Sequence, residues 1–184
     1  LLGLLDDVAV DEGASGYRGH VAALVRGRLT AGSLKMVAGP AIAILVVAPV
    51  ADDSAVRLLL DGAVVALAAN LATLFDRAPG RVAKVSLAVA AVLVVTTAAA
   101  PELLGVVVVA GAAVALVVPD LRERMMLGDA GANPLGASLG LAAVLTSSPM
   151  TRNWVLVVLL ALNLLSERVS FSRVIERVPP LRVI

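Results

Sequence analysis

The chain has 184 residues, of which 60% are hydrophobic and 16% charged, and its mean hydropathy is +0.98. Soluble domains are typically about 45–50% apolar even when glycine is counted, so this composition excludes a single soluble domain and favours an integral membrane protein. The lack of cysteine excludes disulfides and thiolate metal sites, and the net charge of +1 says less than the placement of the charges.

Apolar segments separated by short polar stretches make up most of the sequence. Residues 1–5 predict the end of a helix whose beginning precedes this sequence, since the run is too short for a signal peptide and lacks a basic flank. Six apolar segments follow, at residues 34–51, 56–75, 82–100, 103–119, 134–147 and 153–166. Most approach the ~17–25 residues that cross ~30 Å of hydrocarbon.

Helices are the expected structure of these segments, because an open sheet leaves unpaired backbone groups in lipid. The sequence therefore predicts an all-α fold, a polytopic membrane bundle of about six transmembrane helices plus the end of an earlier one. Residues 1–184 form a single transmembrane domain in this interpretation, and the N-terminal part of that domain is incomplete.

Basic residues gather on one side of the predicted bundle. If Asp6 and Asp7 face the first side, alternation of the spans also places there the segments 6–33, 76–81, 120–133 and 167–184. Every Lys and Arg except Arg57 and Arg152 then lies near that side. This bias predicts that the first side is cytoplasmic in a multi-pass cell-membrane protein. Within residues 6–33, the stretch VAALVRGRL predicts an amphipathic helix at the membrane surface. This helix either binds anionic lipid as a basic anchor or faces a substrate.

Three acidic motifs reach this same side. They are the pair Asp6–Asp7, then Asp76 in NLATLFDRAPGR, then Asp129 in MLGDAGANPLG. Each one alone is explained by a solvated loop residue. Together, carboxylates provide the hard oxygen ligands that Mg²⁺ requires, with phosphate oxygens completing its shell, and one of them can act as a general base.

The segment GDAGAN adds a phosphate-binding pattern to the third motif. It contains Gly128, Gly131 and Asn133, and we expect it to be a turn that leads into a helix beginning near Pro134. Backbone N–H groups of a glycine-rich turn at a helix N-terminus can bind phosphate. Alone, this pattern is only moderately specific.

In their order and placement, GLLDD, the Asn-x5-Asp of NLATLFD and MLGDAGANPLG resemble the signature motifs of the polyprenyl-phosphate N-acetylhexosamine-1-phosphate transferases. This family includes phospho-N-acetylmuramoyl-pentapeptide transferase, and the resemblance covers residues 3 to about 140. It implies Mg²⁺-dependent transfer (Mn²⁺ is an alternative) of a sugar-1-phosphate from a nucleotide-sugar to a polyprenyl phosphate during cell-envelope glycan synthesis. The implied partners are these two substrates and the membrane, with a homodimer left open and no nucleic acid expected.

The resemblance also implies roles for individual residues. Asp6 and Asp7 match the paired aspartates associated with lipid-phosphate chemistry and the metal environment. Asn70 and Asp76 match the second motif, in the nucleotide-sugar and metal region, and Asp129 matches the metal-binding aspartate of the third. Further substrate-binding candidates beside these motifs are Lys35, Arg77, Arg81, Gly128, Gly131 and Asn133. For Lys35, Arg77 and Arg81 there is an alternative interpretation, in which they are ordinary basic residues at the membrane interface.

Two departures from the family keep other functions open. Asp76 is followed by RAPGR where the family has glycine and a second Asp-Gly, and the last segment, ERVSFSRVIERVPPLR, has no histidine. Arg168, Arg173 and Arg177 in that segment either bind a diphosphate or flank the last helix as ordinary cytoplasmic charges. One alternative is a non-catalytic membrane scaffold or lipid-phosphate-binding relative, and a transporter with Asp61 on an ion path is another.

Overall fold

The computed structural model describes residues 30–51 and 54–178, together with positions 19, 22 and 25–27. Asp6 and Asp7, most of the predicted amphipathic helix and the residues after 178 lie outside the described part. Residues 30–51 and 54–178 contain no strand and seven α-helices: α1 (Ala31–Val47), α2 (Ala55–Phe75), α3 (Arg81–Thr96), α4 (Leu104–Leu121), α5 (Gly128–Thr146), α6 (Pro149–Ser166) and α7 (Phe171–Arg177). Short 3-10 turns, Ala48–Val50 and Pro101–Leu103, follow α1 and precede α4.

Several helices begin at a side-chain cap that the sequence encodes. Thr30 and Ser33 form a reciprocal capping box at α1, in which Ser33 N donates to Thr30 Oγ1 at 3.0 Å and Thr30 N donates to Ser33 Oγ at 2.8 Å. Ser54 and Ser148 cap α2 and α6 through their hydroxyl oxygens. Such caps satisfy N–H groups that have no partner inside the helix.

Helix α2 lies at the centre of the bundle and contacts α1, α3, α5 and α6. Its closest neighbour is α5, which presents Gly136 and Gly140 to it. A Cβ added at Gly136 would lie 2.4 Å from the backbone oxygen of Ala68, and one at Gly140 would lie 2.9 Å from Ala68 Cβ. Small residues four apart allow two helix backbones to approach closely, as is common in membrane bundles.

Four stretches of helix are long and apolar enough to cross a membrane: Gly32–Val50, Ala55–Phe75, Pro101–Leu121 and Pro149–Ser166. In the most apolar 18-residue part of each stretch, only 6–28% is buried within the bundle. Large apolar side chains such as Leu104 and Trp154 are 71% and 63% exposed. A soluble protein rarely exposes so much continuous apolar surface. The prediction of a helical membrane protein is confirmed at this level.

The two remaining predicted segments also form helices, with different lengths. Helix α3 has 16 residues and ends at Thr96, four residues before the predicted end. Ala98 and Ala99, just beyond it, have positive φ angles of 51° and 56°. Helix α5 begins at Gly128, so the predicted start near Pro134 is wrong. Pro134 instead lies inside α5, and a packed membrane helix tolerates such a proline because its neighbours compensate for the lost hydrogen bond.

Helix polarity groups the chain's polar elements at two ends of the bundle. We call the acidic end the one formed by the starts of α1, α3 and α5, the ends of α2, α4 and α6, and α7. The opposite end, called the Asp61 end, contains the start of α2 and the α5–α6 connection. Contacts between these elements, described below, establish both groupings.

Candidate functional site

Lys35 and Asp129 meet at the acidic end, although they are 94 residues apart in the chain. Lys35 lies near the start of α1 and Asp129 in the first turn of α5, and the lysine Nζ donates to Asp129 Oδ2 in an ion pair. Both side chains are 21% exposed. A half-buried pair of this kind keeps an ammonium and a carboxylate where a phosphate or a cation can reach them.

The GDAG residues are part of helix α5 and do not form a loop before it. The N–H of Gly131 donates to Leu127 O at 3.1 Å, so it is already used within the helix. Asn133 Nδ2 donates to the backbone oxygen of Asp129 at 2.8 Å, one turn back. Gly128 has a φ of 62°, which suits glycine at the sharp entry into the helix. Asp129 is therefore held on a regular helical turn, and its charge complements the positive end of the helix dipole.

Asn70 lies in the last turns of α2, and Asp76 directly follows the helix. Asn70 Nδ2 donates to Asn163 Oδ1 on α6 at 2.7 Å. Asn163 Nδ2 in turn donates to Leu159 O at 2.8 Å and Leu67 O at 3.2 Å. Asp76 caps the end of α2, where its backbone N–H donates to Ala72 O and Thr73 O at 3.2 Å. The Asn70 contact therefore ties α2 to α6.

The turn between α2 and α3 is held by a buried acid that lies outside the three acidic motifs of the sequence. Asp120, at the end of α4 and 1% exposed, accepts from the N–H of Gly80 at 3.0 Å. Gly80 has a φ of 70°, and a Cβ there would lie 2.4 Å from Leu121 Cδ2. The signal in the sequence was present but weak, because Asp120 follows Pro119 and looked like the first loop residue.

Arg81 and Phe75 attach α7 to this turn. Arg81 is 7% exposed and its Nη1 donates to Ser172 Oγ at 2.8 Å. The rings of Phe75 and Phe171 stack with centroids 5.4 Å apart and planes 10° from parallel. Arg77, by contrast, is exposed on the turn. Of the two arginines beside Asp76, the structure buries one and leaves the other in solvent.

An apolar groove of ≈220 Å³ starts beside this turn. Helices α2, α3, α5 and α6 line it, and its lining is apolar except for Ser86. Phe75 and Val82 line the part near the acidic end, and Leu93 and Val155 line the part toward the Asp61 end. The groove is not fully enclosed. Its apolar lining suits a stretch of hydrocarbon chain.

Asp61 forms a separate ion cluster at the opposite end. Its carboxylate is 1% exposed and accepts from Arg57 Nε at 2.9 Å, from Arg57 Nη2, and from Arg152 Nη1 at 2.8 Å. Arg57 Nη1 also donates to Asn153 Oδ1 at 2.8 Å, and Arg152 Nε donates to Ser147 O at 2.9 Å. The i, i+4 spacing of Arg57 and Asp61 was visible in the sequence, whereas the contact with Arg152 was not. A carboxylate fixed by two guanidinium groups favours a structural role over an ion path.

The described residues contain no group of three or more His, Cys, Asp or Glu side chains placed to hold a metal ion. Mg²⁺ commonly uses only one or two carboxylates and completes its shell with water and phosphate oxygens. Asp129 fits that requirement as a single donor, while Asp6 and Asp7 lie outside the described residues.

No family model, curated protein or solved structure matches the chain.

Proposed function

We propose that the chain is a membrane phosphotransferase that moves a sugar-1-phosphate from a nucleotide-sugar, most simply a UDP-N-acetylhexosamine, to a polyprenyl phosphate. One observation carries the proposal: the Lys35–Asp129 pair lies at the end of the bundle where Phe75 and Val82 line one part of the apolar groove. An amphiphile with a long hydrocarbon chain and a phosphate head requires that combination. In this proposal all six apolar segments cross the membrane, and the acidic end faces the cytoplasm.

In the proposed reaction, an oxygen of the polyprenyl phosphate forms a bond to the β-phosphorus of the nucleotide-sugar. The bond from that phosphorus to the bridging oxygen breaks, and the nucleoside monophosphate leaves with the oxygen. The sugar-1-phosphate thus becomes part of a lipid-linked diphosphate. In this direct transfer the protein forms no covalent intermediate. Its task is therefore to position two anions and to neutralise their charge.

The chain's own residues divide that task. Asp129, with Asp76, is proposed to hold Mg²⁺ (or Mn²⁺), which when bound neutralises the diphosphate. Lys35 binds phosphate once its partner carboxylate is engaged by the cation. Asp6 or Asp7 is proposed to orient or deprotonate the lipid phosphate. Gly128 and Asn133 position Asp129 on its helical turn, and Arg77 is the exposed cation nearest Asp76 in sequence.

The test is product formation by the intact protein. Purified full chain is incubated with Mg²⁺, a polyprenyl phosphate and a panel of UDP-sugars, and lipid-linked sugar diphosphates are measured by mass spectrometry. Asp129→Asn should lower the rate about 100-fold or more, the usual effect of removing one group that stabilises transition-state charge. Glu123→Gln is the matched control, because Glu123 is an exposed acid in the same connection and should retain full activity. Wild-type activity in Asp129→Asn would refute the role of Asp129.

A second candidate is a non-catalytic lipid-phosphate-binding protein of the same architecture. Two contacts favour it. Lys35 already pairs with Asp129, the carboxylate proposed to bind the metal. Asn70, proposed to bind substrate, instead donates to Asn163. This alternative predicts that polyprenyl phosphate binds and that no donor in the panel yields a product. Binding of the lipid with no Mg²⁺ dependence would decide in its favour.

A further inference from the structure

The connection between α6 and α7 forms a pocket that the proposed reaction does not use. Arg168 follows the end of α6, and Arg173 and Arg177 lie four residues apart on α7. These three arginines, with Val169, Ser170 and Val174, line a concavity of ≈130 Å³. A liquid water occupies ~30 Å³, so this space admits a group of several heavy atoms.

The three guanidinium groups in this arginine pocket have no counterion among the described residues. In the part of the chain that the structure describes, none of them makes a side-chain hydrogen bond or an ion pair. By contrast, Lys35, Arg57 and Arg152 all contact carboxylates. Three like charges around one concavity repel each other, and an anion in the concavity removes that repulsion.

The pocket is built on a fixed support. Helix α7 is attached to the bundle by the Phe75–Phe171 stack and by the hydrogen bond from Arg81 to Ser172, and Ile175 is buried. Arg173 and Arg177 therefore project from a docked helix. Guanidinium groups bind phosphate oxygens through two parallel N–H donors, which makes arginine well suited to phosphate esters.

The position and lining of the pocket indicate the source of the phosphate. Arg168 lies two residues beyond Ser166, where a candidate membrane-spanning helix ends, so the pocket is at the level of lipid headgroups. Val169 and Val174 give it an apolar part next to the charges. A free phosphate has no apolar part to contact such a surface, whereas the glycerol and first methylenes of a phospholipid can pack against it. We propose that the arginine pocket binds the headgroup of an anionic phospholipid.

Binding is measured on the full chain in a neutral detergent, without nucleotide-sugar or polyprenyl phosphate, by native mass spectrometry. The titrated probes are short-chain phosphatidylglycerol and phosphatidylcholine. Arg173→Gln with Arg177→Gln removes two guanidinium groups that would donate to the headgroup phosphate and should weaken phosphatidylglycerol binding about 30-fold. Replacing the same two residues with lysine keeps the charge and removes the paired donors, so the loss should be smaller.

The matched control removes two charges from the same end of the protein. Arg122→Gln with Arg124→Gln alters two exposed arginines between α4 and α5 and should leave binding within about threefold of wild type, because neither residue lines the pocket. Equal weakening by both double variants, or equal binding of the two lipids, would overturn the proposal. Displacement of phosphatidylglycerol by inorganic phosphate at the same concentration would assign the pocket to soluble phosphate and would also overturn it. None of these results depends on whether the transferase activity exists.

Discussion

Replacing Asp61 with alanine removes the carboxylate that Arg57 and Arg152 share. Asp61 is completely buried, and its two oxygens accept from both arginines. The cluster joins the first turns of α2 to the start of α6 and to Ser147 at the end of α5. After the substitution two guanidinium groups remain at the edge of the bundle without their anion. We therefore expect a large loss of stability.

The magnitude follows from how buried the partners are. Removing one member of a buried ion pair typically costs about 3–5 kcal/mol, because it leaves an uncompensated charge. The arginine side chains are 12% and 17% exposed, so they can turn partly toward water and the lower end of that range applies. About 3 kcal/mol corresponds to a fall in melting temperature of about 6–12 °C for a chain of this size.

The assay is thermal unfolding of the purified full chain in one detergent at one scan rate, because membrane proteins often unfold irreversibly. Glu102→Ala is the matched control, since Glu102 is an exposed acid at the same end, and its melting temperature should fall by less than about 2 °C. A triple variant, Arg57→Met, Asp61→Leu and Arg152→Met, should be close to wild type, because apolar replacement of a whole ion cluster is often neutral. The reasoning is refuted if Asp61→Ala melts within 2 °C of wild type.

The same unfolding assay checks two further predictions. Gly136→Ala should destabilise the chain by about 1–3 kcal/mol, because its Cβ would lie 2.4 Å from Ala68 O. The control is Gly111→Ala, whose Cβ would have no atom within 4 Å and which should be neutral or stabilising. Equal effects of the two substitutions would contradict the close packing of α2 and α5. Asp120→Ala should lower stability by about 1.5–3 kcal/mol, the value of a hydrogen bond to a charged group, because the N–H of Gly80 loses its acceptor. Asp120→Asn keeps an acceptor oxygen and should lose less, so the reverse order would exclude this role.

The helices were predictable from the sequence because lipid imposes a simple rule on them. Each apolar segment must satisfy its own backbone, so length and composition alone predict a helix. This reasoning placed all six apolar segments on helices, and it was least accurate where a local residue competes with the segment's environment. Pro134 favours a helix start by its lack of an N–H, yet packing against α2 extends α5 back to Gly128. The ends of helices therefore depend on neighbours that a sequence pattern does not identify.

The contacts of the polar residues were less predictable, for a geometric reason. Sequence spacing identifies pairs within one helix, such as Arg57 and Asp61, since residues four apart share a face. The partners that define the two ends are more than 90 residues apart: Lys35 with Asp129, and Arg152 with Asp61. Only the relative placement of helices decides such pairs. Lys35 was interpreted from the sequence as a phosphate ligand or an interfacial lysine, and its ion pair with Asp129 was missed for this reason.

The two ends of the bundle differ in how their cations are used, and this difference supports placing phosphate chemistry at the acidic end. At the Asp61 end, both arginines donate to Asp61 and to a further protein oxygen. Both guanidinium groups share one carboxylate, and they are only 12% and 17% exposed. At the acidic end, six arginines make no side-chain hydrogen bond or ion pair with described residues: Arg77, Arg122, Arg124, Arg168, Arg173 and Arg177. Apart from the three arginines of the pocket assigned above to a phospholipid, Arg77, Arg122 and Arg124 are therefore the described guanidinium groups available to a phosphate at the end that also contains the Lys35–Asp129 pair.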